Sequence, residues 1–242
     1  MRQPTISRRI GRFAGDRRVL VIFLLLGLFV AARTWLAAHP QHNPWAPLDL
    51  RHSPGLATGM KFAALKEDVP ECRAVLGRSD IAFTALPGTG EGPCLRQDRT
   101  RLEEYPLSPA SPAVTCPVAA ALVVWRRNTL EPAAREIFGS ELQSIEHLGA
   151  YSCRRLYGRE DGAYSEHATG NAIDISGFRL ANGTRISVLN DWSDGSEKGL
   201  FLRRAREGAC DVFATVLSPD YNAAHADHFH FDQSLRWRGV CR

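Results

Sequence analysis

Eight histidines occur in this 242-residue chain, and three fall within six residues, in the run Ala224-His225-Ala226-Asp227-His228-Phe229-His230-Phe231-Asp232. Imidazole and carboxylate are both good zinc ligands. If 228–231 is a strand, its period of two sends His228 and His230 to one face and Phe229 and Phe231 to the other. An earlier run, Ser165-Glu166-His167-Ala168-Thr169-Gly170-Asn171-Ala172-Ile173-Asp174, sets a second imidazole and a carboxylate seven positions apart. Seven is odd, so a regular strand would point them to opposite faces. A turn over 168–170 resolves the conflict, with His167 on an incoming loop and Asp174 on a strand. There Ala172, Asp174 and Ser176 share one face, and Ile173 and Ile175 face the core. A carboxylate among apolar neighbours needs a partner, and a cation is the obvious one. The pattern predicts a zinc ion (Zn2+) held by His167, Asp174 and His230, with a fourth position open to water, as in catalytic zinc sites. Zinc brings the pKa of such a water toward about 7. The competing reading is a buried, hydrogen-bonded His–Asp pair with a structural role.

Several elements must position these groups. Pro117 in the first turn and the Ala/Leu-rich run after it predict a helix over 116–126, and Pro132 predicts a second over 131–138. Strands are expected over 142–153, 172–178, 184–189 and 228–231, with an amphipathic helix over 198–216. Residues 59–115 mix short apolar runs with Pro and Gly clusters and read as a loop-rich subdomain tied by disulfides. The order of elements is α+β, with a small antiparallel sheet flanked by helices.

Seven arginines stand in residues 1–33 against one acid, Asp16, while the remainder holds 23 basic and 25 acidic residues. The net charge of +4 therefore belongs to the N-terminal tail and is not a nucleic-acid signal. Arg2, Arg8, Arg9, Arg12, Arg17 and Arg18 precede an unbroken apolar run over 19–32, extended by 34–38. That layout is an inner-membrane anchor or a cleaved signal peptide, with the basic flank in the cytoplasm and the bulk of the chain outside. No clean small-residue cleavage site follows the run, which favours the uncleaved anchor over secretion. Residues 1–38 thus read as tail and anchor, and 39–58, rich in Pro and His, as a linker in which His39, His42 and His52 have no specific role. Six dispersed cysteines (Cys72, Cys94, Cys116, Cys153, Cys210 and Cys241) form no metal-binding spacing and imply disulfides in an oxidising compartment. Fifteen pairings are possible, and spacing does not choose among them.

The pattern Ser165-x-His167-x-x-Gly170-x-Ala172-x-Asp174 resembles that of the M15 zinc peptidases, which include D-Ala-D-Ala carboxypeptidases, dipeptidases and phage L-alanyl-D-glutamate endolysins and share a fold with LytM-type peptidases and the hedgehog signalling domain. More closely, the segments CPVAAALVVW, GAYSCRRLYGR, SEHATGNAIDISGF and LSPDYNAAHADHFHFD resemble the extensin-like C-terminal domain family of proteobacteria, over roughly residues 72–242. The resemblance implies a hedgehog/DD-peptidase-like fold over 59–242 and a periplasmic zinc peptidase acting on peptidoglycan stem peptides. A non-catalytic zinc domain that binds wall-derived peptides is the alternative. It also implies a general base at Asp227, through the spacing Asp227-x-x-His230, although strand parity favours His228. Arg154, three residues after Tyr151, resembles the family's arginine for a substrate carboxylate or oxyanion, which in the family directly follows its tyrosine, with Arg155 and Arg159 as alternatives. Tyr164 and Ser165 are placed to line such a site, and Asp232 to orient a histidine. His147 and His225 read as structural or solvent-facing.

Overall fold

The computed structural model describes residues 14–236 and 239–242. Arg2, Arg8, Arg9 and Arg12 of the basic flank lie outside the described residues. The first element is helix α1 (Ala14–Ala38), 25 residues long and about 37 Å at helical rise. Over Gly15–Ala38 it is long and apolar enough to cross a membrane, and none of its most apolar stretch is buried by protein.

Residues 58–78 are more regular than their Gly/Pro-rich surroundings predict. Helix α2 (Thr58–Leu65) is followed by α3 (Val69–Arg78). Asp68 caps α3 by accepting a hydrogen bond from the Glu71 amide, Pro70 occupies its first turn, and Cys72, Val75 and Leu76 form its buried stripe. Strands β1 (Phe83–Leu86) and β2 (Arg99–Leu102) make a separate antiparallel pair. After the short β3 (Leu107–Ser108) comes α4 (Cys116–Trp125), in which all ten residues are buried. A helix apolar on every side belongs in the centre of a core. A π-helical turn, Arg126–Leu130, joins it to α5 (Glu131–Phe138), which ends at Gly139 in the left-handed region.

The second half supplies most of the sheet: β4 (Leu142–Gly149), β5 (Ala172–Leu180), β6 (Arg185–Ser187), β7 (Thr215–Leu217), β8 (Phe229–Asp232) and β9 (Val240–Cys241). Helices α6 (Val188–Asp191) and α7 (Glu197–Cys210) lie between β6 and β7. The strands follow the order β3-β4-β5-β8-β7-β9, with β6 also pairing β5. This seven-stranded sheet is larger than expected and is mixed, because β3 runs parallel to β4 and β9 parallel to β7. The helix expected over 198–216 stops at Cys210. Beyond it Val212, Thr215 and Val216 are β-branched, and 215–217 pairs with β8 instead.

All six cysteines are paired, Cys72 with Cys116, Cys94 with Cys153 and Cys210 with Cys241. The bridges join α3 to α4, the segment after β1 to the loop after β4, and α7 to β9. Together with the apolar helix they are compatible with a membrane-anchored or exported protein.

Trp125 ends α4 and is fully buried. Its indole N–H donates to the Ala205 carbonyl of α7 at 2.7 Å, and its ring meets Phe178 of β5 and Phe231 of β8 edge-on. One side chain thus braces the two strands that carry Asp174 and His230. Trp125→Ala is expected to lower unfolding stability by about 3–5 kcal/mol, read by denaturant titration. A loss under 1 kcal/mol would refute this bracing role.

Candidate metal centre

Strands β5 and β8 pair antiparallel, with Asp174 directly opposite His230, Ile173 opposite Phe231 and Ala172 opposite Asp232. Directly opposed residues point to the same face. Ile173 and Phe231 are fully buried in the core, so Asp174, His230, Ala172 and Asp232 share the other face. The strand begins at Phe229, one residue later than expected, without altering this parity.

His167 arrives on a 3-10 turn, Glu166–Thr169. Ser165 caps the turn by accepting from the His167 amide at 3.3 Å. Gly170 ends it at φ +71°, a conformation open to glycine without strain. Its carbonyl then accepts from the Thr115 amide, and Asn171 binds back to Glu166 through both its amide and its side chain. The expected reversal between His167 and Asp174 is therefore present.

His167 Nε2 lies 3.1 Å from Asp174 Oδ1 and 3.1 Å from His230 Nδ1, and His230 Nδ1 lies 3.0 Å from Asp174 Oδ1. The outer nitrogens have partners of their own. His167 Nδ1 donates to the Ala150 carbonyl at 3.2 Å, and His230 Nε2 faces Asp232 Oδ2 at 3.0 Å. A carbonyl and a carboxylate only accept, so each imidazole keeps its proton on the outer nitrogen and turns a lone pair inward. With both imidazoles neutral, two nitrogen lone pairs and a carboxylate oxygen then converge.

Such a cluster attracts positive charge. Burial works against the charge on Asp174, but the two imidazoles beside it hold its carboxyl below the usual range. Burial also works against a charged His230, but Asp174 and Asp232 outweigh it and push the imidazole up to about 9. A proton on His230 Nδ1 satisfies two of the three atoms, whereas a divalent cation satisfies all three. Ligand atoms around a tetrahedral zinc lie about 3.3 Å apart, close to these spacings. Among the described residues, His167, Asp174 and His230 form a group suited to holding a metal ion, and their donor set fits zinc.

A cavity of about 550 Å³ opens over the cluster, walled by Arg154, Tyr157, Leu217, Tyr221, His225 and His228 among others. His228 Nε2 stands 3.7 Å from Asp174 Oδ1, and its Nδ1 is held by Asp227 Oδ1 at 2.8 Å. Asp227 is about half exposed and bonds His228. Arg154 is exposed at the cavity wall, and Ser165 also lines it. Arg155 is turned onto the Tyr164 ring and Arg159 onto Tyr157.

Three lining residues differ from expectation or lay beyond it. His225, read as structural or solvent-facing, lies in the wall 5.2 Å from the His228 ring, and burial followed by His228 and His230 lowers its pKa to about 4. Tyr157 and Tyr221 share a hydrogen bond between their hydroxyls at 3.2 Å across the cavity wall. Their 64-residue separation contains no pattern that would reveal it. His147 bonds the Ala110 carbonyl through Nε2.

Metal analysis after zinc loading and dialysis tests the ligand set. Wild-type protein is expected to retain one zinc per chain, Asp174→Ala and His167→Ala none, and Asp232→Asn to bind about 10–100-fold more weakly in a chelator competition. Full retention of zinc by Asp174→Ala would exclude this set.

Comparison with known proteins yields a family match. No curated protein and no solved structure matches the chain. The family described as Extensin-like protein C-terminus matches residues 70–242, well over half the sequence and every residue of the cluster. The chain belongs to the extensin-like protein C-terminus family.

Proposed function

We propose that this protein is a zinc-dependent amidase of the bacterial envelope, cleaving an amide bond in peptidoglycan stem peptides. The observation that carries the reading is the convergence of His167 Nε2, Asp174 Oδ1 and His230 Nδ1 on one point at the floor of an open cavity. The M15-like spacing of Ser165, His167, Gly170, Ala172 and Asp174 supports the peptidase assignment. The apolar α1 and three disulfides support a periplasmic domain held at the inner membrane, with secretion after signal cleavage as the alternative.

His167, Asp174 and His230 hold the ion, and Asp232 and the Ala150 carbonyl orient the two imidazoles. Zinc supplies Lewis acidity, polarising a carbonyl and acidifying water near neutral pH. His228 is the proton carrier. Asp227 fixes its Nδ1–H, so Nε2 faces the cluster, where it takes a proton from the attacking water and returns it to the leaving amine. This reading replaces Asp227 as the base with His228 and makes Asp227 its orienting partner. Arg154, at the wall, binds a substrate carboxylate or the developing oxyanion.

The test is digestion of purified muropeptides by zinc-loaded protein. Wild type releases a peptide or amino-acid fragment, and His167→Ala and Asp174→Ala release none. His228→Ala keeps its zinc and slows by about 10²–10⁴-fold. Asp227→Asn is expected to lose less than His228→Ala, and the reverse order restores Asp227 as the base. A second reading, a zinc domain that binds wall peptides without cutting them, rests on the wide and largely apolar cavity. It prevails if folded, zinc-loaded protein binds muropeptides and releases nothing.

A further inference from the structure

Residues 39–58 contain no long regular element, yet they do not hang free between α1 and the domain. Leu48 and Leu50 are buried in the core, the Leu50 amide donates to Ser79 Oγ, and Arg78 and Arg127 donate to the Leu48 and Leu50 carbonyls. The turn that leaves α1 is also tied to the start of α2. Lys61 Nζ donates to the Pro40 carbonyl at 2.8 Å, the Ala57 amide to the Gln41 carbonyl at 3.2 Å, and the Leu56 amide to His42 Nδ1 at 3.1 Å. A Cβ on Gly55 would come within 2.6 Å of the Gln41 carbonyl oxygen, so the two segments are in backbone contact. Trp35, in the last turns of α1, stacks on His39 and His42. The stretch is a folded collar that ties the exit of the helix to the start of α2.

The collar and the start of α2 expose three large apolar side chains. Trp45 is 79% exposed, Leu56 86% and Met60 56%. The Leu56 amide bond to His42 places Leu56 beside the segment that leaves α1, Met60 directly precedes Lys61, which bonds Pro40, and Trp45 follows His42 by three residues. Large exposed apolar side chains clustered together mark a contact surface, and Trp is enriched where a membrane meets water. We infer that Trp45, Leu56 and Met60 form a second membrane contact, seated in the lipid interface next to the emerging α1. The inference rests on the reading of α1 as a membrane span, with which this surface is continuous. It makes the 39–58 segment an interfacial foot and fixes which side of the domain faces the bilayer.

The experiment uses the full chain in vesicles of phosphatidylcholine and phosphatidylglycerol, with and without acyl chains brominated near the headgroup. Emission of wild type minus that of Trp45→Phe isolates Trp45. The expected result is that brominated lipid removes most of this difference emission and that aqueous iodide leaves it intact. Replacing Leu56 and Met60 by Ser is expected to open Trp45 to iodide while leaving the melting temperature unchanged. If the protein floats with the vesicles after an alkaline wash but Trp45 is quenched by iodide and not by bromine, the collar faces water and the inference fails while the anchor stands. If the protein does not float, the anchor and the collar contact both fail.

Discussion

The site depends on one register. Antiparallel pairing of β5 with β8 sets Asp174 opposite His230, and a slip of one residue would put Ile173 or Phe231 in the cavity and a charge in the core. The apolar residues between the polar ones prevent that slip. Ile173, Ile175, Phe229 and Phe231 are all fully buried against α4 and its neighbours. The same alternation therefore specifies the core on one face of the sheet and the polar cluster on the other.

The second constraint is electrostatic. A cluster of acceptor atoms with carboxylates on two sides is unfavourable in a part-buried place unless positive charge joins it. The surroundings maintain this demand, because Asp232 and the Ala150 carbonyl each engage an outer imidazole nitrogen. Inside the cluster, a proton on His230 Nδ1 or a divalent ion supplies the positive charge.

Much of the site was legible in the sequence because it is local. The turn between His167 and Asp174 follows from odd spacing and a glycine, and the facing of His230 follows from the alternation with Phe229 and Phe231. Helix α4 was equally plain, being uninterrupted and apolar with a proline in its first turn. What escaped notice is set by contacts between distant segments. The edge strands β3 and β9 have two residues each and acquire strand geometry only from β4 and β7. His225 enters the cavity wall because the turn before β8 folds back over it, which composition does not encode. The 39–58 stretch has linker composition, yet Leu48 and Leu50 are enough to bind it to the core. Asp227 and His228 show the same limit, since spacing nominates both and only the turn decides which one stands nearer the cluster.

The ends of the main sheet carry a further implication. Its outer strands β3 and β9 have two residues each, and the branch strand β6 has three. One of them, β9, is also bolted to α7 through Cys210–Cys241. An unpaired edge this short offers too few free amides and carbonyls for another chain to zip onto. Such stunted margins keep neighbouring molecules from fusing their sheets into aggregates.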